Sequence, residues 1–211
     1  MKQDGSIALF QYWNRLRDGR PAPRRTEIEP ADIKRWLADT FILEKDLRGE
    51  AVFRLAGTRL CAVFGRELRG FSFPSLWREK DSRLTAKLVH GVFESKTVVV
   101  VTLAGVSRND RTNPFEMLLL PLDGGLENPR CLGVMSPCEK PFWLGADPIA
   151  EIGIESVRVV DADREPLFLK NRPAIGVPSL APGDLSEPIA VRPGGARRIR
   201  HLVVLDGGRE E

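Results

Sequence analysis

The run from Arg54 to Gly70, RLAGTRLCAVFGRELRG, constrains this chain more than any other stretch. It reads as the end of a strand, a tight turn at Gly57 and a short helix carrying Leu60, Val63 and Phe64. Gly65 stops that helix, and a Glu67-Leu68-x-Gly70 step follows. Whatever surrounds this corner must accept a strand that passes straight into a short helix.

The flanking pattern supplies the rest of an α+β layout. Residues 4 to 17 read as an amphipathic helix whose broad apolar face holds Ile7, Leu9, Phe10, Trp13 and Leu16, ended by Gly19 and Pro21. Pro21, Pro23 and Pro30 hold the next segment extended, and a second short helix is expected from Pro30 to Ala38. Strands are expected at 40–44 and 51–56, the latter with Phe53 and Leu55 on one face and Val52, Arg54 and Ala56 on the other. A long helix over 79–94 places Leu84, Leu88, Val92 and Phe93 inward. Three strands follow at 97–106, 115–122 and 131–136, joined by turn-rich loops. Ile154 to Val160 reads as one more strand. Strands at both ends with helices between them suit an antiparallel sheet with helices on one face.

Three regions result: an N-terminal helical extension (1–39), a core (40–145) and a C-terminal extension (146–211). Proline and glycine dominate from Pro166 to Gly195, which reads as a flexible tail. A late strand is expected over 199–205, suited to adding to a sheet edge.

Bulk properties bound the function. The formal charge is only +3 over 211 residues, which gives no nucleic-acid signal. There is no secretory leader pattern and no run of eighteen apolar residues, so a cytoplasmic chain without a membrane span is expected. Cys61, Cys131 and Cys138 form no CxxC pair. On one strand, the last two would lie well over ~20 Å apart, so reduced thiols are expected. No GxSxG, HExxH, Walker loop, GxGxxG or His-Cys pair is present, which points away from an enzyme.

Several motifs in order carry a family resemblance over roughly residues 8 to 145. They are Tyr12-Trp13-x-x-Leu16-Arg17-x-Gly19-Arg20 with Pro23 and Arg25, then Phe53-Arg54-Leu55-Ala56-Gly57-Thr58. Gly65-Arg66-Glu67-Leu68-x-Gly70, Leu118-Leu119-Leu120-Pro121-Leu122 and Leu132-Gly133 follow. The chain resembles the stand-alone PAS-like family common in alphaproteobacteria, once catalogued as a domain of unknown function. The resemblance implies a PAS fold: a five-stranded antiparallel sheet with short helices on one face, here behind a helical extension. It also implies a bacterial signalling role through protein–protein contact and small-molecule sensing, without a defined cofactor.

The candidate sites follow from that frame. Phe53, Leu55, Cys61, Phe64, Trp77 and His90 are candidates to line a ligand pocket on the concave face, and Trp36, Phe142 and Trp143 are further aromatic candidates. Flavin-binding PAS relatives carry a helix cysteine within an NCRFLQ-type motif; Cys61 lies in RLCAVF, so a structural thiol is the reading. Haem-binding relatives place a ligand on the long helix, but His90 is a lone histidine with no paired ligand. The cofactor is therefore left unknown, with a fatty acid or aromatic metabolite as alternative ligands.

Arg17, Arg20 and Arg25, and separately Arg197 and Arg198, are candidate anion sites for cyclic di-GMP or another guanine nucleotide. Local pairing with residues such as Glu27 is the competing reading for the first group, and a solvated basic tail for the second. Arg54 and Glu67 are expected to order the strand–helix corner, as a pair or through turn backbone. Leu9, Phe10 and Trp13 are the candidate homodimer interface, and a signalling protein the candidate partner.

Overall fold

The computed structural model describes residues 1–124, 129–164, 196–199 and 202–205, the last two segments as strands only. The chain divides into two compact units, Met1–Asn171 and Arg172–Glu211.

The first unit holds helices α1 (Asp4–Arg17), α2 (Thr58–Phe64) and α3 (Glu79–Glu94). Its strands are β1 (Thr40–Lys45), β2 (Ala51–Ala56), β3 (Val98–Ser107), β4 (Thr112–Leu122), β5 (Arg130–Pro137) and β6 (Ile149–Val160). All six strands pair antiparallel in the order β2-β1-β5-β4-β3-β6. The expected five-stranded sheet is thus extended by one: β6 runs along β3 from Val98–Val160 to Ser107–Ile149. The core therefore continues past residue 145. The Pro30–Ala38 helix is replaced by two 3₁₀ turns, Pro30–Ile33 and Leu37–Asp39.

Both faces of this sheet are covered, which explains why β4 is apolar at almost every position. Phe115, Met117 and Leu119 enter an inner core with α2 and α3, where Phe41, Phe53, Phe73, Trp77, Val89 and Phe93 meet. Leu118, Leu120 and Leu122 alternate into an outer core with α1, together with Ile42, Val100 and Val134.

The outer core corrects the dimer expectation. Leu9 and Trp13 are fully buried and Phe10 is 1% exposed. The apolar face of α1 is used up on its own sheet, so these three side chains are not on offer to a second copy. The Trp13 indole donates to the Pro121 carbonyl at 2.7 Å, fixing the helix rotation. Glu116, the charged exception on β4, accepts the backbone N–H groups of Lys2 and Gln3 at 2.8 and 3.0 Å and pins the approach to α1.

Two local features decide the strand–helix corner. The β1–β2 register slips between Ile42 and Leu43, making Arg54 the extra residue of a bulge. Phe53 and Ala56 therefore face inward, whereas Leu55 pairs with Ile42 on the other face and is 46% exposed. The expectation that Leu55 shares a face with Phe53 fails for this reason. Gly57 then passes so close to the carbonyls of Leu37 and Ala38 that a Cβ would collide with backbone. Its role in the motif is close approach, since its φ of −69° is open to any residue.

Arg54 is exposed and lies 3.6 Å from Glu44, a pair worth under about 1 kcal/mol. Glu67 orders the turn alone, its carboxylate accepting the N–H groups of Leu68 and Arg69. Along α3 the inward side chains are Thr85, Val89, Val92 and Phe93, with Leu88 partly buried; Leu84, expected inward, is 45% exposed.

In the second unit, β7 (Ala196–Ile199) and β8 (Leu202–Leu205) pair antiparallel with each other. The single strand expected over 199–205 is thus the second half of a hairpin. The tail reading of 166–195 lies outside the described residues.

Replacing Glu116 with Ala strands two N–H groups and should lower stability by about 3 kcal/mol, with Glu116→Gln in between. Urea unfolding measures both; an unchanged midpoint for Glu116→Ala would remove the pin.

Candidate functional site

A cleft of about 610 Å³ opens at the edge of the inner core. Its floor is apolar: Leu60 and Val63 from α2, Phe115 from the start of β4 and Met135 from the end of β5. All four are at most 6% exposed. The first residues of α1 line it, together with Arg35, Trp36 and the 3₁₀ turn carrying Asp39. Arg59 and Lys140 stand at the mouth.

The backbone explains this arrangement. Gly5 lies against Ser136 and Trp36; a Cβ there would sit 2.7 Å from the Ser136 Oγ and 3.2 Å from the indole. A side chain at this position would displace the serine hydroxyl and press on the indole, so glycine suits the close approach of α1 to β5. Arg35 stacks over the Trp36 ring at 4.9 Å. The Arg59 guanidinium donates to the Asp39 carboxylate, which is itself 6% exposed. Burial nonetheless raises the Asp39 carboxyl above its ordinary value, outweighing the pull of Arg59 and Lys140.

Two polar features of the cleft lack partners. Ser136 is only 7% exposed and its hydroxyl makes no hydrogen bond among the described residues. Helix α1 has no side-chain cap, so its first-turn N–H groups are open beside the same serine.

A family model described as PAS domain matches residues 1–136. The chain belongs to the PAS domain family. The match takes in α1 as well as the strand–helix corner. Among solved structures, the LOV protein of Rhodobacter sphaeroides is similar at 18% identity and TM-score 0.38, over 49% of this chain and 64% of that one. This chain thus spans just under two thirds of that protein. The PAS domain of an HTR-like protein from Haloarcula marismortui is similar at 17% identity and TM-score 0.38, over 51% and 89%. No curated protein matches the chain.

Within this PAS domain the residues expected to line a pocket do not converge. Phe53, Phe64 and Trp77 are at most 5% exposed in the inner core. There Phe41, Phe53, Phe73 and Trp77 form a chain of rings with centroids 5.6 to 6.1 Å apart. Leu55 faces away, and His90 is exposed on α3, on the side turned from the core. Cys61 sits half-buried with its thiol 3.6 Å from Glu67. Burial raises all three thiols, Cys131 to about 12, so they stay protonated at neutral pH.

Of the first group of arginines, Arg17 and Arg20 have side chains engaged within the chain. Arg17 is 6% exposed and donates to the Arg20 and Ala162 carbonyls and to Asp163. Arg20 binds the Leu16 and Arg17 carbonyls and Glu27. Arg25 is anchored by its backbone N–H on the Asp123 carbonyl. The side chains of Arg197 and Arg198 lie outside the described residues. Of the further aromatics, Trp36 belongs to the cleft wall, Trp143 packs on the inner core and Phe142 is exposed.

Arg59, Asp39, Arg35, Lys140 and Ser136 went unread in the sequence. Arg59 sits two residues after Gly57, inside the motif block, and only the spatial return of residues 35–39 and 136–145 gives it a role.

Because the Asp39 carboxyl is raised by burial, its ionisation costs folding stability. The penalty is absent below its ordinary value of 3.8 and complete above the raised native value. Asp39→Asn should therefore gain stability over the native chain as pH rises through that window. Melting curves from pH 3.5 to 7 check this; a difference independent of pH would contradict it.

Proposed function

We propose that the chain is a non-enzymatic PAS signalling module of the cytoplasm. It takes a small molecule in the cleft at the edge of the inner core and passes that state to a signalling-protein partner. One observation carries this reading: aromatic rings fill the inner face, whereas the cleft keeps about 610 Å³ open, a volume ordinary for small-molecule sites. A molecule seated there touches α1, α2 and β5 together and so bears on both layers of the fold.

Other features support the same reading. The thiols are protonated and unpaired, which fits a reducing compartment and supplies no cysteine nucleophile. No group of three or more His, Cys, Asp or Glu able to hold a metal occurs among the described residues. No helix there is long and apolar enough to cross a membrane. A haem ligand at His90 loses support from that residue's exposed position, and a nucleotide site at Arg17 and Arg20 from their internal bonds.

The test is a thermal-shift screen of small metabolites on the full chain, with native mass spectrometry. A ligand at a hundred times its Kd adds about 2.7 kcal/mol, several degrees for a domain of this size. Ala62→Trp, placed on an exposed cleft-lining position of α2, should abolish that gain, while Ala86→Trp on the exposed side of α3 should not. The reading is wrong if no compound stabilises the chain, or if stabilisation survives Ala62→Trp.

A further inference from the structure

We infer that the cleft takes a small organic monocarboxylate with an apolar body. Arg59 and Lys140 hold the carboxylate, and the body lies on Leu60, Val63, Phe115 and Met135. This rests on the reading of the cleft as the ligand site and names the class of molecule it admits.

The cleft is lined by three cations, Arg35, Arg59 and Lys140, against two carboxylates, Asp4 and Asp39. Asp39 engages one nitrogen of Arg59. Arg59 has five N–H donors in a planar fork and its side chain is 58% exposed, so most of its donors remain for a second carboxylate. Lys140 forms no ion pair among the described residues, and Arg35 is occupied only by the Trp36 ring. The surplus is a single positive charge. A monoanion neutralises it, whereas a dianion would leave unpaired negative charge facing Asp4 and Asp39.

The floor offers apolar side chains and no polar group, which rewards an alkyl or aryl body and penalises a ribose or a hydrated diacid. Polar groups share the lining with that floor. The Ser136 hydroxyl lines the cleft and makes no hydrogen bond among the described residues, and the uncapped first turn of α1 lies beside it. An apolar body with one anionic end fits that lining: the carboxylate accepts from Arg59 and Lys140, and the Ser136 hydroxyl is a further donor in the same cleft.

The experiment uses the full chain with octanoate and 3-phenylpropionate, their primary amides, inorganic phosphate and adenosine monophosphate, read by calorimetry and melting temperature. The acids should bind, and the matching amides at least tenfold more weakly. Lys140→Gln, at an exposed position, should weaken the acids at least tenfold and leave the amides unchanged. The double variant Asp39→Asn/Arg59→Gln, which removes both charges of the pair, should do the same.

If the amides bind as tightly as the acids, the inference fails. It fails equally if phosphate or the nucleotide binds more tightly than the acids. In both cases, loss of binding in Ala62→Trp would leave the cleft standing as a ligand site for another class. If none of the probes binds at millimolar concentration, the inference is overturned; if the wider metabolite screen is also silent, the cleft reading falls with it.

Discussion

Glu116 is the one charge on β4, and the layered architecture is anchored through it. Its carboxylate is 4% exposed between two apolar cores, a position that would be costly without partners. The N–H groups of Lys2 and Gln3 supply them, just before α1 begins. The Trp13–Pro121 hydrogen bond holds the same helix further along. With α1 fixed at these two places, the outer face of the sheet becomes a core instead of an exposed apolar surface. The strongly apolar sequence of β4 and β3 is tolerable only in that arrangement.

Much of this arrangement is written in local patterns. The α1 periodicity, the β-branched run of β3 and the Gly57–Gly65 corner each specify their own element through short-range chemistry. The destination of α1 is a different kind of fact. A broad apolar face says that something must cover it, and the same pattern serves a second chain or the chain's own sheet. The choice rests on the Trp13 and Glu116 hydrogen bonds, whose partners are 108 and 113 to 114 residues away. The bulge at Arg54 was equally hidden. Strict alternation put Leu55 beside Phe53, and one extra residue in the pairing reversed it.

The cleft was illegible for the same reason. Its members come from segments around residues 4, 36, 60, 115 and 140, and no spacing rule joins them. Of the aromatic residues expected as pocket walls, Phe53, Phe64 and Trp77 fill the space beneath the helices, and Trp36 alone among them lines the cleft. In this PAS domain aromatic rings fill the apolar interior, and the open volume lies beside the start of α1 and the end of β5.

Helix α1 spans fourteen residues, about 20 Å from end to end. One end abuts Ser136 at the cleft through Gly5, and the other is tied by Arg17 to Ala162 and Asp163, just beyond β6. The helix is thus a stiff rod with a hand at each end. Its length therefore sets the distance between the cleft wall and the segment that follows β6.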